Sequence, residues 1–384
     1  MVYRTRIAEK LLRSYLDQFP SVGVMGPRQS GKSTMVKHVL GKTYTYISFD
    51  DFEVKDLFYS DPKKFIERYH NKVIFDEAQY IPELFPLLKT AIDSDRSNYG
   101  KFVITGSGQF LMSRHIAESL AGRIGLIPLL PMQYEESKVQ TAESQIVHGS
   151  YPELVVRNYT GFQAWYGSYI ETYLQKDLRQ MVNISDIHAF TQFLRLLAAN
   201  ITRTLNLSSF SRDIGISVAS LKRWLSVLEN SYILFLLHPY HKNQGKRIVK
   251  SPRIFFYDTG LVSYLTGISS YEQWEKGVLY GPLFENFIVA DIYKQILHGG
   301  LNFNLYWFRT NHGDEIDLII DKGTERDLVE IKASVSYRAG FHKILDKYDF
   351  DGATKRVIYQ GQNSEKPGGI TAENYQSFLN NFAH

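Results

Sequence analysis

Ser21 to Thr34 read SVGVMGPRQSGKST: a short apolar run, then a loop with glycines at Gly26 and Gly31, then the start of the helical stretch MVKHVL. Few fourteen-residue stretches restrict a fold as tightly. The segment Gly26 to Ser33 fits the spacing G-x-x-x-x-G-K-[ST], in which glycines let the backbone curl until its N–H groups converge on phosphate oxygens. The helix that follows adds the partial positive charge of its N-terminus. Gly26, Pro27, Arg28, Gln29, Ser30, Gly31, Lys32, Ser33 and Thr34 are therefore the candidate nucleotide-binding residues. Lys32 would place an ammonium on the outer phosphates, and Ser33 would offer a hydroxyl to Mg²⁺. A strand, glycine loop and helix in this order predict an α/β fold built on a parallel sheet. The expected cofactors are ATP and Mg²⁺, although the loop alone does not separate ATP from GTP.

A second apolar run, Val73-Ile74-Phe75, ends in Asp76 and Glu77. Placed at the end of a parallel strand beside the loop, Asp76 would hold the magnesium shell and Glu77 would orient the attacking water. A third strand, Phe102 to Thr105, ends in small polar residues, so Thr105 or Ser107 is expected near the outer phosphate or the water. Arg123 lies in the glycine-flanked turn LAGRIG, where it is a candidate arginine finger reaching a neighbouring subunit. A structural arginine is the other reading of Arg123, and Arg114 is a competing finger. A finger acting in trans would make the protein a homo-oligomer.

The combination GPRQSGKST, VIFDEAQ, FVITGS and LAGR resembles the AAA-type predicted ATPases of bacteria and archaea that carry a C-terminal domain of unknown function similar to restriction-endonuclease folds. The resemblance implies a doubly wound ATPase core over roughly the first 150 residues. It departs from many AAA proteins at the strand end that often holds Asn and here holds Thr or Ser.

A chain of 384 residues exceeds what one hydrophobic core normally holds, which predicts two or three domains. It has no cysteine, which excludes disulfides and thiolate zinc sites and fits a cytoplasmic setting. The first residues, with Ile7, Leu11, Leu12, Tyr15 and Leu16 at helical spacing, predict an amphipathic helix rather than a signal peptide. Glu9 and Asp17 argue against a transit peptide. No stretch is apolar for long enough to span a bilayer, so no membrane partner is expected. The domains expected are a core over 1–150 with the N-terminal helix, a helical lid over 151–192 opening at the Gly149-Ser150-Tyr151-Pro152 junction, a winged helix over 193–265, and a restriction-endonuclease-like α/β domain over 266–384. Tyr151 or Pro152 is a weaker candidate for the nucleotide's surroundings.

Net charge is only +4, but Ile201 to Phe256 hold nine Lys or Arg against two acids. FLRLLAANI, SSFSRDIG closed by Gly215, and VASLKRWLSVLEN read as three helices, with Ser208 capping the second and Ser217 opening the third. The runs YILFLLHPY and RIFFYD read as two strands joined by a basic loop. Three helices followed by a basic hairpin is the order of a winged helix. Lys222 and Arg223 near the start of the third helix, with Lys242, Lys246, Arg247 and Lys250 on the wing, are the candidate contacts to nucleic acid, most simply DNA. Such modules also bind proteins, and a basic hairpin can be a solvated one.

Beyond residue 280, Glu285 lies in a helical stretch, Asp317 in the strand EIDLIID, and Glu330 and Lys332 on one face of the strand LVEIK. Two antiparallel strands would bring Asp317 and Glu330 around a divalent ion. Glu285 completes the shell and Lys332 positions or deprotonates water. The order resembles the restriction-endonuclease-type motif and implies that the domain grips or cleaves DNA. A plain salt bridge between Glu330 and Lys332 on an inherited fold is the alternative. Two functions follow: an ATP-driven motor or switch on DNA, or a nucleotide-dependent regulator whose winged-helix and C-terminal modules bind protein partners.

Overall fold

The computed structural model describes residues 3–106, 116, 118–137, 141–174, 186–240, 251–348, 350, 352–366 and 369–383. The chain divides into two compact units. One comprises residues 1–132 with 230–232 and 297–300, and the other holds the remainder.

The first unit runs α1 (Ala8–Leu16), β1 (Ser21–Met25), α2 (Lys32–Leu40), β2 (Thr45–Ser48), α3 (Phe52–Ser60), α4 (Pro62–Arg68), β3 (Val73–Asp76), α5 (Leu84–Asp93), β4 (Phe102–Gly106) and β5 (Ile124–Pro128). The strands form one parallel sheet in the order β2-β3-β4-β1-β5. Period-two alternation divides the apolar residues between its faces. Val22, Val24, Ile74 and Val103 pack with Ala8, Leu12, Met35 and Val36 beneath α1 and α2. Val73, Phe75, Phe102 and Ile104 point the other way, into a core with Phe58, Phe65, Phe85 and Leu88 from α3, α4 and α5. Both faces are covered, so the strands are continuously apolar, as buried parallel strands must be. The predicted N-terminal helix is α1, with Ala8 and Leu12 buried.

The second unit includes, after a short helical turn at Tyr134–Ser137, α6 (Ala142–His148) and α7 (Phe162–Tyr169). After α7 the chain continues in a π turn at Ile170–Leu174; residues 175–185, within the expected helical lid, lie outside the described ones. Then come α8 (Ile187–Ala199), α9 (Leu207–Ile214), α10 (Val218–Asn230) and the antiparallel pair β6 (Leu234–Leu237) and β7 (Arg253–Phe256). Gly215 closes α9 in the left-handed conformation, at φ 80°. The cap of α9 is Asn206, whose side chain accepts from the Ser209 amide at 3.0 Å, so Ser208 lies inside the helix. Ser217 does open α10, accepting from the Ser220 amide at 3.2 Å.

After α11 (Thr259–Thr266) and α12 (Tyr280–Gly299), strands β8 (Asn304–Arg309), β9 (Glu315–Asp321), β10 (Arg326–Lys332), β11 (Thr354–Tyr359), β12 (Ser364–Lys366) and β13 (Ile370–Asn374) form a mixed six-stranded sheet. β8, β9 and β10 are antiparallel neighbours, whereas β11 pairs parallel with both β10 and β13. The stretch beyond Gly361 is thus part of the domain's framework. It contributes two strands and the closing helix α13 (Tyr375–Asn381).

Candidate active site

In the first unit, β1 runs in register with β4 and β5 from Ser21 to Met25, so the loop that follows leaves the carboxyl edge of the sheet. Gly26 is required there. Its φ is +152°, and a Cβ would lie 2.1 Å from the Leu129 carbonyl oxygen. Gly31 adopts a left-handed conformation, φ 91°, to start α2. Behind the loop, the buried guanidinium of Arg6 donates to the carbonyls of Ser30 at 2.7 Å and Leu130 at 2.6 Å. The Leu130 amide donates to Nε2 of His298 at 3.0 Å. The loop therefore rests on a platform held from both sides.

β4 lies between β1 and β3, so the end of β3 and the loop share one edge. The Ser33 hydroxyl donates to Asp76 Oδ1 at 2.8 Å. The hydroxyls of Thr105 and Tyr46 also donate to the Asp76 carboxylate. Thr105 was singled out from sequence. Tyr46 was not, because nothing local to β2 says that its ring faces β3. Glu77 follows in the left-handed region, φ 54°, and accepts a hydrogen bond from the Gln79 amide. A cavity of about 280 Å³ is lined by Arg28, Gln29, Gly31, Lys32, Ser33, Thr34, Asp50, Glu77 and Tyr80. Lys32 is buried, and its ammonium folds back onto the carbonyls of Gly26 at 3.0 Å and Pro27 at 2.7 Å. Burial lowers its pKa to about 8, against the pull of Glu77 and Asp76 and with a small further push from Arg28. Curled main chain, one ammonium and a Ser–Asp pair are the donor set that a Mg²⁺–nucleotide requires, so the residues fit that group.

Arg123 lies away from the phosphate loop of its own chain. It lies where β5 begins, its carbonyl accepting from the Ser21 amide at 3.2 Å, whereas the loop leaves the opposite end of β1. Four residues of strand, about 13 Å, separate the two levels. Its guanidinium makes a two-pronged pair with Asp93, at 2.7 and 2.9 Å. Within its own chain it is a structural arginine. Ser107 and Arg114 lie outside the described residues. Tyr151 belongs to the second unit, is buried, and bonds the Tyr169 hydroxyl at 2.8 Å.

In the second unit Lys222 and Arg223 are exposed on the first turns of α10, while Trp224 and Leu225 turn inward. Lys242, Lys246, Arg247 and Lys250 lie outside the described residues. Arg253, one of the nine cations of the basic segment, is not on the surface.

Arg253 instead enters the acidic cluster. The register of β9 on β10 brings Asp317 to Glu330, and the Lys332 ammonium bridges them, 3.1 Å from Asp317 and 2.6 Å from Glu330. Asp317 also accepts from the Ile331 amide at 2.9 Å. Glu285 on α12 meets the Arg253 guanidinium at 2.8 Å, with Glu315 at 3.6 Å and Asp317 at 4.0 Å from the same group. Burial pushes the Glu285 carboxyl up to about 8, although Arg253 opposes the shift. Burial and the neighbouring Asp317 raise Glu330 to about 9. Burial also works on Asp317, but Lys332 and Arg253 outweigh it and its pKa falls. The four expected residues, Glu285, Asp317, Glu330 and Lys332, do come together, and the Arg253 guanidinium joins the Lys332 ammonium among the carboxylates. Among the described residues no group of three or more His, Cys, Asp or Glu is arranged to hold a metal ion. Glu285, Asp317 and Glu330, the expected metal ligands, stand here in a buried ion network with Arg253 and Lys332. Sequence could not assign Arg253, because it comes from a strand paired with β6, outside the motif.

A second junction was also missed. Asp258 accepts from the amide and hydroxyl of Ser150, at 2.7 and 3.0 Å, and from Tyr166 at 2.5 Å. A Cβ on Gly149 would lie 2.1 Å from that tyrosine hydroxyl. The GSYP junction is a buried structural joint.

The sheet order, the phosphate loop and the Ser33–Asp76 pair define an AAA-type P-loop ATPase fold. Residues 18–138 match the family model described as an AAA domain. Residues 139–272 and 280–376 match two further models, each described as a domain of unknown function (DUF8612 and DUF4143). An uncharacterized protein of Mycobacterium tuberculosis is 27% identical over 365 residues, covering 94% of this chain and 81% of that protein. An uncharacterized protein of Methanocaldococcus jannaschii is 20% identical over 384 aligned residues, covering 89% of this chain and 83% of that protein. Among solved structures, a Walker-type ATPase of Pyrococcus abyssi is 17% identical, with a TM-score of 0.47, over 67% of this chain and 94% of that one. The RuvB Holliday junction branch migration motor of Thermotoga maritima is 15% identical, with a TM-score of 0.27, over 59% and 88%. Among the described residues no helix is long and apolar enough to cross a membrane.

Proposed function

We propose that the protein hydrolyses ATP and uses the cycle to change its hold on nucleic acid, most simply DNA. The observation that carries the ATPase reading is the hydrogen bond to Asp76 from Ser33, which lines one cavity with Lys32 and Glu77. Ser33 and Asp76 would hold Mg²⁺, which with ATP supplies the charge-balanced phosphoryl group. Lys32 leaves its own loop carbonyls to meet the outer phosphates. Glu77 orients the attacking water, and Thr105 keeps Asp76 aimed. Lys32→Ala is expected to abolish nucleotide binding. Glu77→Gln is expected to bind ATP but stall turnover; normal turnover in that variant overturns the water-orienting role.

Nucleic-acid contact is proposed for the exposed cations of α10, Lys222 and Arg223, in a winged-helix arrangement of α8, α9, α10 and the β6–β7 pair. The basic loop 241–250 would add phosphate contacts through Lys242, Lys246, Arg247 and Lys250. Affinity for duplex DNA should fall steeply with salt and fall further in a Lys222→Ala/Arg223→Ala variant. Assembly into a homo-oligomer belongs to the same proposal. The C-terminal domain is proposed to grip and not to cut, because Arg253 and Lys332 already neutralise its carboxylates. Cleavage of linear or branched DNA with Mg²⁺ or Mn²⁺ that disappears in Asp317→Ala would reverse that assignment.

The second reading, a nucleotide-dependent switch that binds proteins, is favoured by a cavity of about 580 Å³ in the second unit lined largely by Leu196, Ala199, Ile214, Leu265, Val278 and Leu279. Salt-insensitive binding, with no response of turnover to single-stranded, duplex or four-way DNA, would select it.

A further inference from the structure

We propose that Arg28, inside the phosphate loop, is a catalytic arginine acting in cis, so that each subunit carries its own charge-stabilising guanidinium. The proposal rests on the ATPase reading and extends it. Phosphoryl transfer spreads negative charge over the outer phosphate oxygens, and a guanidinium placed there accelerates the step by about 10³-fold or more. The described residues narrow which arginine of the same chain can do so. Arg123 is tied to Asp93 at the far end of the sheet. Among the described residues, the cations that line the nucleotide cavity are Arg28 and Lys32.

Arg28 stands two residues after the required Gly26 and four before Lys32, on the loop that would wrap the phosphates. Its guanidinium is half-buried and reaches across the cavity to the Tyr80 hydroxyl, 3.3 Å away. Tyr80 closes the short 3₁₀ turn Ala78–Tyr80 that starts immediately after Glu77. The arginine, the water-orienting carboxylate and the tyrosine thus share one rim of the cavity. Without nucleotide, Arg28 rests on Tyr80. With a terminal phosphate present, the stronger, charge-assisted partner is the phosphate, and the planar fork can hold two of its oxygens.

The step balances simply. Water attacks the terminal phosphorus and forms a new P–O bond as the bond from phosphorus to the bridging oxygen breaks; the water's protons go to the inorganic phosphate and to solvent, and ADP and inorganic phosphate leave. Arg28 gains and loses no proton; it offsets charge that grows on the transferring group.

The test uses the full-length chain, ATP turnover, mant-ADP affinity and trapping of mant-ADP by aluminium fluoride, a mimic of the transferring phosphoryl group. Arg28→Ala should lower kcat about 100-fold or more and abolish trapping, while mant-ADP affinity changes less than about tenfold. Arg28→Lys should recover little, because an ammonium lacks the fork. Mixing Arg28→Ala with Lys32→Ala subunits should not restore turnover, since neither subunit then holds a complete site. Restoration on mixing would show that Arg28 acts on a neighbour and would overturn the proposal. So would trapping by Arg28→Ala at wild-type level, or loss of activity in Arg123→Ala but not in Arg28→Ala. A wild-type protein that binds no nucleotide sinks the ATPase reading itself, an outcome distinct from trapping that survives loss of Arg28.

Discussion

Replacing Arg253 with Met should destabilise the second unit in a pH-dependent manner. Three carboxylates, Glu285, Asp317 and Glu330, share two cations, Arg253 and Lys332. The Arg253 side chain is 6% exposed and those of Glu285 and Asp317 are 13% and 12%, so water screens them weakly. Met keeps the apolar stem and its packing beside Trp307, whose ring centroid lies 5.3 Å from the guanidinium carbon. What disappears is the charge, which leaves three buried carboxylates on one ammonium. Breaking a buried pair by removing one partner costs about 3–5 kcal/mol. The sign with pH follows from which groups would be left unpaired. Without Arg253 the folded-state pKa values of Glu285 and Asp317 rise, so the folded variant binds protons that the unfolded chain has released. The deficit relative to wild type should therefore be largest at alkaline pH and narrow on acidification, as protonation replaces the missing cation. The assay is urea unfolding followed by tryptophan fluorescence at pH 5.5 and 8.5. All four tryptophans, Trp165, Trp224, Trp274 and Trp307, belong to the second unit, so the signal reports on that unit alone. Arg253→Met/Glu285→Leu, which removes both partners, should recover most of the loss. A deficit under about 1 kcal/mol with no dependence on pH would refute the ion-network account.

Further outcomes follow from other parts of the molecule. Gly26→Ala places a Cβ 2.1 Å from the Leu129 carbonyl at φ +152° and should abolish mant-ADP binding, measured by fluorescence titration. The Asp291 carboxyl is pushed up to about 6 by burial, despite Lys294, Gln295 and the Tyr134 amide. The folded protein therefore holds that proton more tightly, and stability falls as pH rises from about 4 to about 6, by at most about 3 kcal/mol. Asp291→Asn should flatten that slope in unfolding curves; an unchanged slope would assign the dependence to another group. Asn206→Ala removes the cap of α9 and should cost about 1 kcal/mol in the same unfolding assay, whereas Ser208→Ala should cost little.

The ATPase fold was legible because its signals are local and chemical. A strand, a glycine loop and a helix lie within twenty residues, and the Asp76–Glu77 pair closes an apolar run, so each element declares both its shape and its task. Alternation along Val73-Ile74-Phe75 even separates the two cores, since Ile74 faces α2 while its neighbours face α5. The cap of α9 was misjudged because Asn206 and Ser208 are both good capping residues two positions apart, and helix boundaries are resolved only by the backbone. The π turn that follows Tyr169 was hidden for a different reason. Periodicity sees the apolar stripe through Leu174 but cannot see that the hydrogen bonds slip to a π turn.

Charge was where local reading failed most, and the failure has a physical cause. A sequence shows which residues are charged but not which opposite charge arrives from elsewhere in the chain. Arg123 looked free to act because its turn is flanked by glycine, but its partner Asp93 lies thirty residues earlier, at the end of α5. Arg253 looked like part of a basic surface because its sequence neighbours are basic. Its strand alternates, however, and the pairing of β6 with β7 turns its side chain towards acids thirty-two to sixty-four residues away. Four well-placed acidic and basic residues therefore satisfied the spacing of a metal-dependent nuclease while a fifth, unseen cation changed what the cluster can do. Only Lys332 lies within the motif; the guanidinium adds a second cation among the three carboxylates and is expected to oppose a divalent ion there. Restoring divalent-ion binding should accordingly require removal of Arg253, and Mn²⁺ titration of Arg253→Met against wild type, read by calorimetry on folded protein, tests this directly. Saturable binding by wild type would show that the guanidinium is displaced at little cost and would reopen cleavage as a function.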